Sequence, residues 1–287
     1  MCFGKERFRT MGEHLTVNEE LMLKEVHTKT ESLINAEFWK NYEETPHIIK
    51  MKKVLNGILA ASRMSLNLYG VYYGTDKASF YVENNVLSLG HDYLRHYEML
   101  FSPFRSREMV IVELGCFYGG SLRMWQGWFP KADIFGVDID ESVKENEGGR
   151  IHIVIGDATS RDTYDAVWKY AGERRPFIII DDASHAWSDQ RKSLEMFWEM
   201  LASGGFYIIE DLECGAYGVK GYVPKVLDSQ PFFDYIRDRC HILRWPASYN
   251  RQMMDARYSQ LPKNVSKFEE ELDACLFIPG AIILRKR

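Results

Sequence analysis

Short apolar runs alternate with longer amphipathic stretches along the middle of this chain, and the alternation predicts an α/β fold. Five runs rich in β-branched residues occur between residues 109 and 209, and each closes on a polar or acidic turn. Such runs are typical of parallel strands that are covered on both faces, whereas the amphipathic stretches between them are typical of helices. The five predicted strands cover residues 109–114, 133–137, 151–155, 176–181 and 205–209.

The pattern ahead of this sheet predicts helices and a loop. Residues 16–42, and a stretch that begins near Pro46, carry apolar residues at helical spacing, so two helices are expected there. Residues 69–77 predict a glycine-containing loop and residues 89–97 an aromatic helix. The two leading helices would cap the site or make a subunit contact, and the pattern does not decide between these roles.

Further elements are predicted beside and beyond the fifth strand. An amphipathic stretch at 189–201 predicts a helix, and the glycine- and tyrosine-rich residues 214–224 predict a mobile loop. We expect a helix at 231–239 and a strand at 241–245. A terminal strand is predicted at 276–284, in which Pro279-Gly280 indicates a bulge or a bend.

A glycine turn directly follows the first predicted strand. Gly115, Gly119 and Gly120 come after Leu114, and the following Ser-Leu-Arg-Met-Trp-Gln predicts the opening of a helix. A strand that ends in such a turn lets a ligand approach backbone N–H groups at the N-terminus of the helix. The alternative is a tight turn that needs glycine for its shape alone.

Acidic residues end three successive predicted strands. Glu113 ends the first strand, Asp138 ends the second and Asp157 follows the third. Nucleotide-binding α/β units place a carboxylate about 20 residues past the glycines, as Asp138 is placed, to bind ribose hydroxyls. One strand-end Asp is usually a cap or turn residue, but three at one end of a sheet favour a ligand site.

The fourth and fifth predicted strands end in paired carboxylates, Asp181-Asp182 and Glu210-Asp211. Four negative charges at one edge repel one another unless a cation or protons neutralise them. Oxygen ligands suit a hard cation, Mg²⁺ or Ca²⁺, and the absence of nearby cysteine disfavours zinc. Capping of the helices that follow is the alternative role for these acids.

His185 lies three residues past Asp182, in a loop over the same sheet edge. A lone histidine is more often a structural hydrogen-bonding group than a base. Beside a carboxylate cluster at the edge of a cofactor site, the general-base interpretation is favoured.

The composition narrows the classes of function. The 287 residues, 46% hydrophobic and 14% aromatic, suffice for one large α/β domain with an attached segment. A net charge of −5 argues against a nucleic-acid partner bound by a basic face. No apolar run approaches the ~18 residues of a membrane span, and the first residues lack the apolar core of a secretory signal. Five scattered cysteines without a CxxC pair are typical of reduced thiols in a cytoplasmic protein.

The stretches ELGCFYGGS, GVDID and GDA together resemble motifs I, II and III of class I S-adenosylmethionine-dependent methyltransferases. The resemblance implies a Rossmann-like α/β fold whose seven-stranded sheet ends in an antiparallel strand, with helices on both faces. The commonest motif I has a further glycine where this chain has Phe117, a departure that also weakens an NAD-type interpretation. The cofactor contacts implied by the resemblance are Thr75, Lys77, Glu113, Gly115, Tyr118, Ser121, Asp138, Asp157, Ala158 and Asp181.

Further motifs resemble one sub-family, the metal-dependent macrolide and rhamnosyl sugar O-methyltransferases of antibiotic biosynthesis. They are GTDK at 74–77, H-x-Y-x-x-x-Y at 91–97, DDASH at 181–185 and IIEDL at 208–212. The resemblance implies Asp182, Glu210 and Asp211 as Mg²⁺ ligands and His185 as the general base. Ala183 stands where the family often has glycine, a mild departure.

The same resemblance sets the remaining expectations. Residues 69–287 would form the methyltransferase domain, and residues 1–68 a helical cap or oligomerisation segment. The acceptor would be a sugar hydroxyl of a glycosylated natural product or a nucleotide-sugar, and the protein a cytoplasmic homo-oligomer with no nucleic-acid or membrane partner. Candidate substrate residues are His91, Tyr93, Tyr217 and Tyr222.

Three other interpretations stay open. A catechol-type O-methyltransferase would apply the same diol–metal chemistry to an aromatic ring. A non-catalytic cofactor-binding protein is disfavoured, because the set Asp182, His185, Glu210 and Asp211 is intact. An NAD-dependent enzyme is the most distant alternative.

Overall fold

The computed structural model of the chain describes Lys24 and residues 65–83, 86–217 and 271–287. The chain splits into two compact units, Met1–Leu100 and Phe101–Arg287. The elements predicted at 231–239 and 241–245 lie outside the described residues, as do the two leading helices apart from the helical residue Lys24. The domain boundary predicted between residues 68 and 69 stays a prediction.

The first unit contains a short helix and a hairpin. Helix α1 (Leu66–Tyr73) begins after Ser65, whose hydroxyl accepts the N–H of Leu68, and ends at Gly74 in the left-handed conformation. Strands β1 (Phe80–Glu83) and β2 (Val86–Leu89) pair antiparallel, and helix α2 (Leu94–Phe101) follows them.

Two predictions for this unit are wrong in their bounds. The loop predicted at 69–77 is helical as far as Tyr73, because Gly70 serves close packing and not a turn: a Cβ there would lie 2.3 Å from Leu94 Cδ1. The aromatic helix predicted at 89–97 begins only at Leu94. The pairing of β1 with β2 was not predicted.

The second unit is built on a seven-stranded sheet in the order β5-β4-β3-β6-β7-β9-β8. Its neighbouring strands are parallel except at β9, which runs antiparallel to both β7 and β8. The predicted seven-stranded sheet with an antiparallel last strand is thus confirmed. The strands are β3 (Met109–Leu114), β4 (Ala132–Asp138), β5 (Ile151–Ile155), β6 (Ile178–Asp181), β7 (Phe206–Ile209), β8 (Leu272–Ile278) and β9 (Ala281–Lys286).

Helices cover both faces of this sheet. The chain runs outward from β3 to β5 and then returns to β6, so right-handed crossovers in opposite directions put their helices on opposite faces. Every residue of β3 is buried, as expected for a strand covered on both sides. The helices are α3 (Gly120–Trp128), α4 (Arg161–Tyr170), α5 (Trp187–Phe197) and α6 (Leu212–Tyr217), with short 3₁₀ turns at Ser102–Phe104 and Glu141–Asn146. None of the helices within the described ranges has the length and apolarity to cross a bilayer.

The two C-terminal predictions need correction. The single strand predicted at 276–284 is a hairpin, since Ile278 pairs with Ala281 and Pro279-Gly280 forms the turn with Gly280 at φ 78°. Proline followed by a left-handed glycine is typical of a type II turn, which reverses the chain where a bulge would only bend it. Part of the loop predicted at 214–224 is also helical, because α6 extends to Tyr217.

The topology indicates where a ligand site is expected. β3 and β6 are neighbours, and the chain leaves β3 towards β4 but enters β7 from β6 on the other side. In open α/β sheets the crevice at such a switch point, beyond the carboxyl ends of the strands, is the usual ligand site.

Candidate active site at the carboxyl ends of the parallel strands

The glycine loop after β3 has a backbone that few residues can adopt. Gly115 and Gly119 have φ of 83° and 73°, and Phe117 has φ 47°. A Cβ at Gly115 would lie 2.1 Å from the carbonyl oxygen of Asp182, so the loop packs directly on the backbone that follows β6. Phe117, which stands where the commonest motif I has a further glycine, thus has a backbone conformation that a glycine would adopt without strain.

Asp138 organises the same loop. Its Oδ2 accepts the N–H groups of Cys116 at 2.8 Å and Phe117 at 3.2 Å, and its Oδ1 accepts the N–H of Asp140 at 3.0 Å. A carboxylate has about four acceptor positions, so Asp138 keeps capacity for a ligand hydroxyl while it holds the loop.

The other strand-end acids of this half lie in different surroundings. Glu113 is fully buried, and its Oε2 accepts the indole N–H of Trp125 in α3 at 2.9 Å. Asp157 is exposed and accepts both the N–H and the hydroxyl of Thr159, an arrangement typical of a turn. Their predicted contacts with a cofactor stay predictions.

Exposed apolar side chains surround this loop. Phe117 and Tyr118 are 71% and 69% exposed with ring centroids 3.9 Å apart, and Ile139, next to Asp138, is 76% exposed. Ser121, in the first turn of α3, and Ala158, directly after Asp157, are both buried. Large exposed apolar groups at the end of a sheet are typical of a ligand-binding surface, and together with the free acceptor positions of Asp138 they fit an adenosine-containing cofactor.

The second half of the site is a cluster of ionisable groups after β6 and β7. Ligand atoms of Asp182, His185 and Asp211 all lie within 4.8 Å of one another. His185 Nδ1 lies 3.8 Å from Asp182 Oδ1, and both side chains are partly exposed. The structure thus brings together three of the four predicted groups, whereas the carboxylate of Glu210 is 1% exposed and lies outside this cluster.

Strain accompanies the cluster. His185 and Asp211 both have φ 54°, in the left-handed region that side-chain-bearing residues rarely adopt. Together with Phe117 they put left-handed residues at the carboxyl ends of β3, β6 and β7, three strands that are adjacent in the sheet. Such conformations tend to occur where function requires them.

Carboxylates make the charge around the cluster negative. Burial, followed by the neighbouring carboxylates of Asp211, Glu213 and Asp182, raises the pKa of the Cys214 thiol to about 11. Burial also raises the pKa of the Asp181 carboxyl to about 7, against the opposing hydrogen bonds from the backbone of Ala183 and from the Tyr207 hydroxyl. The carboxylates of Asp182 and Asp211 supply oxygen donors that fit a divalent cation, and the imidazole of His185 beside them is a candidate proton acceptor.

Residues of the first unit were also predicted to contact ligands. Thr75 and Lys77 are buried, and Thr75 Oγ1 accepts the N–H of Lys77. The ring of His91 stacks on that of Tyr93 with centroids 5.1 Å apart. Tyr217 lies in α6, Tyr222 lies outside the described residues, and all these roles stay predictions.

Several polar residues around the site were not predicted. Tyr207 is fully buried on β7 and its hydroxyl donates to Asp181 Oδ2 at 3.3 Å. Trp187 and Gln190 of α5 donate to backbone carbonyls beside Asp211. The alternation of side chains along a strand could have indicated Tyr207, since it faces the same side of the sheet as Asp181. No sequence pattern could have indicated Trp187 and Gln190, because their partners are backbone carbonyls.

The order and directions of the seven strands, with helices on both faces of the sheet, are those of the class I methyltransferase fold. The MycE methyltransferase of the mycinamycin biosynthetic pathway, solved with Mg and SAH, matches with a TM-score of 0.59 and 21% identity over 87% of this chain and 61% of that chain. At this identity the likeness supports the fold alone.

The family follows from the sequence comparison. Residues 75–230, more than half of the chain, match the family described as Rhamnosyl O-methyltransferase/CmcI, and the chain belongs to that family. The 8-demethyl-8-alpha-L-rhamnosyl tetracenomycin-C 2'-O-methyltransferase of Streptomyces olivaceus is 31% identical over 174 residues, 56% of this chain and 44% of that protein. The mycinamicin VI 2''-O-methyltransferase of Micromonospora griseorubida is 33% identical over 130 residues, 42% of this chain and 32% of that protein. The matched segments thus span less than half the length of these relatives.

The contact between Gly115 and Asp182 gives a prediction about stability. Replacing Gly115 with alanine imposes a left-handed backbone on a side-chain-bearing residue, at about 1–2 kcal/mol, and forces the Cβ into the Asp182 carbonyl, for about 1–3 kcal/mol more. Chemical denaturation should therefore show a large loss in the free energy of unfolding.

Gly172→Ala is the matched control, because Gly172 has φ 64° with no atom within 4 Å of an added Cβ. This variant has the free-energy cost of a left-handed alanine, but its Cβ collides with no other atom. Equal losses in the two variants would contradict the close approach of the β3 and β6 loops.

Proposed function

We propose that this protein is an S-adenosylmethionine-dependent O-methyltransferase that requires a divalent cation, Mg²⁺ first among them, and methylates a sugar hydroxyl of a glycosylated small molecule. One observation carries the proposal: Asp182, His185 and Asp211 converge beside the glycine loop at the switch point of the sheet. Membership of the Rhamnosyl O-methyltransferase/CmcI family supports it, as do the names of the relatives, which describe methylation of a rhamnosyl tetracenomycin and of mycinamicin VI.

Two sets of residues would hold the two bound groups. The loop from Gly115 to Gly119, the carboxylate of Asp138 and the exposed surface of Tyr118 and Ile139 would bind the cofactor. Asp182 and Asp211 would bind the cation through carboxylate oxygens. Glu210 remains a proposed third ligand on the strength of the sequence resemblance.

The chemistry needs an ionisable acceptor and a base. When bound, S-adenosylmethionine supplies an electrophilic methyl group, and a divalent cation supplies positive charge that favours ionisation of a nearby hydroxyl. His185 takes the proton of the acceptor hydroxyl on an imidazole nitrogen, since imidazole is the group of the three suited to accept a proton near neutral pH. The loop contact between Gly115 and Asp182 keeps the cofactor side and the base side of the site at a fixed spacing.

The acceptor class rests on the relatives. Vicinal sugar hydroxyls offer two neutral oxygens to a site whose own charge is negative, which suits a cation shared between protein and substrate. A nucleotide-sugar is the second acceptor within this proposal. A homo-oligomeric assembly and a cytoplasmic location stay predictions.

The first test removes the cation site. Asp182→Asn keeps the size of the side chain but removes its charge, so we expect Mg²⁺ affinity and methyl transfer from S-adenosylmethionine to glycosylated acceptors to fall at least about tenfold. Titration calorimetry with S-adenosylhomocysteine should remain close to that of the unaltered protein. EDTA should abolish turnover and added Mg²⁺ should restore it.

Asp165→Asn provides the control, because Asp165 is an exposed residue of α4 paired only with Arg161 in the described structure. Full turnover in EDTA would contradict the cation requirement. Failure to bind S-adenosylhomocysteine would overturn the methyltransferase assignment itself.

The second test removes the base. His185→Asn is preferred to alanine, since asparagine tolerates the left-handed backbone found at this position. Loss of a general base should lower kcat by roughly 10²–10⁴-fold, while Mg²⁺ and S-adenosylhomocysteine still bind. His152→Asn is the control: it alters a histidine of β5 that lies beside Asp133, and it should leave kcat unchanged. If His185→Asn also left kcat at the value of the unaltered protein, His185 would be removed from the mechanism.

A further inference from the structure

Helix α5 begins directly after the loop that carries His185 and presents two polar side chains to the loop that carries Asp211. Trp187 and Gln190 are three residues apart, so they lie on one face of the helix. Neither belongs to the motifs on which the proposed function depends.

The two side chains bond to the backbone on either side of Asp211. Gln190 Nε2 donates to the carbonyl oxygen of Glu210 at 2.8 Å, and Trp187 Nε1 donates to the carbonyl oxygen of Leu212 at 2.9 Å. The carbonyl of Glu210 lies in the peptide plane that enters Asp211, so its hydrogen bond restrains rotation about the φ angle of Asp211. The bond to Leu212 restrains the first turn of α6, which follows at once.

Asp211 needs such restraint. Its φ of 54° lies in the left-handed region, which an aspartate leaves readily unless its surroundings hold it there. The direction of its carboxylate depends on this conformation. A carboxylate that swings away is lost to the cluster with Asp182.

The burial of Gln190 indicates that its hydrogen bond matters more than its packing. Gln190 is 1% exposed, and its Oε1 has no hydrogen-bond partner among the residues that the structure describes. A buried amide with an unsatisfied oxygen is costlier than an apolar side chain of the same size. Compared with an apolar side chain of the same size, the glutamine contributes one interaction, the hydrogen bond from its Nε2 to the carbonyl of Glu210.

The same helix also holds the loop of the proposed base. Ser184 Oγ donates to Asp189 Oδ2 at 2.9 Å and accepts the N–H of Ala186 at 3.3 Å. These bonds tie the residues on either side of His185 to the first turn of α5. The loops that carry His185 and Asp211 are therefore both held by hydrogen bonds to the same helix, α5.

We propose that Trp187 and Gln190 are positioning residues that hold Asp211 in its cation-binding conformation, so that α5 sets the spacing between Asp211 and His185. This inference rests on the cation site of the proposed function. It adds two residues whose effect on the cation acts entirely through another residue.

The test measures cation binding directly and without an acceptor. Gln190→Met and Trp187→Phe each remove one donor while keeping a side chain of similar bulk. Titration calorimetry with Mg²⁺ alone should show a dissociation constant raised roughly 10–100-fold, as for other residues that orient metal ligands. The dissociation constant of S-adenosylhomocysteine should change less than about twofold, and raised Mg²⁺ should restore kcat.

Ser193→Ala is the matched control for loosening of the helix. Ser193 is also a buried polar residue of α5, but its hydroxyl donates to the carbonyl of Ala158, away from Asp211. Its Mg²⁺ affinity should equal that of the unaltered protein. An equal loss in Ser193→Ala would assign the effect to helix stability and overturn the inference.

The remaining outcomes are also decisive. Unchanged Mg²⁺ affinity in the folded variants overturns the positioning role but leaves the proposed function intact. If thermal denaturation shows that Gln190→Met does not fold, Trp187→Phe decides by the same measurement. Absence of Mg²⁺ binding in the unaltered protein overturns the cation site, and the inference with it.

Discussion

The close approach of the backbone after β3 to the backbone after β6 is the constraint on which the site depends. Gly115 has no space for a side chain because the carbonyl of Asp182 occupies it, and the N–H of Asp182 donates to the carbonyl of Leu114 at 2.8 Å. The proposed cofactor loop and the proposed cation ligand thus share one contact between main chains. Methyl transfer in line requires the donor and the acceptor oxygen to be fixed relative to each other, and a backbone contact is stiffer than any side-chain contact that could replace it.

Left-handed residues at Phe117, His185 and Asp211 are a cost of this arrangement, on the order of 1–3 kcal/mol each. The sheet offsets it, because strands buried on both faces anchor each loop at its start. Hydrogen bonds supply the rest: Asp138 holds the loop of Phe117, and α5 holds the loops of His185 and Asp211. Strain is thereby concentrated where the sheet ends and the proposed chemistry begins.

The fold was predictable where one local pattern excluded its alternatives. The bounds of β3 and β5 agree with prediction, because each is a mostly apolar, β-branched run between polar turns, with one polar residue in it (Glu113 and His152). Pro279-Gly280 was misinterpreted because that pair suits both a bulge and a reverse turn, and only the pairing of Ile278 with Ala281 distinguishes them. Gly70 was taken for a loop residue because its role, room for Leu94, involves a residue distant in sequence. Trp187 and Gln190 were missed for a similar reason: any sequence presents a carbonyl to bond, so nothing in the pattern marks these partners.

In each of the two pairs of carboxylates that follow β6 and β7, one acid is buried and the other faces the site, and this difference follows from strand geometry. Successive residues of an extended chain point to opposite faces, so adjacent acids at the end of a strand cannot both project into one crevice without a turn. Asp181 and Glu210, the first of each pair, are 1% exposed, whereas Asp182 and Asp211 join the cluster with His185. The residue identities predicted an acidic site, but only the backbone separates the acids that face it from the acids beneath it. The buried Asp181 accepts the Tyr207 hydroxyl behind the cluster, and burial raises its pKa to about 7, so the negative charge at the cluster comes from the partly exposed carboxylates of Asp182 and Asp211. Their charge favours a cation over a neutral ligand there.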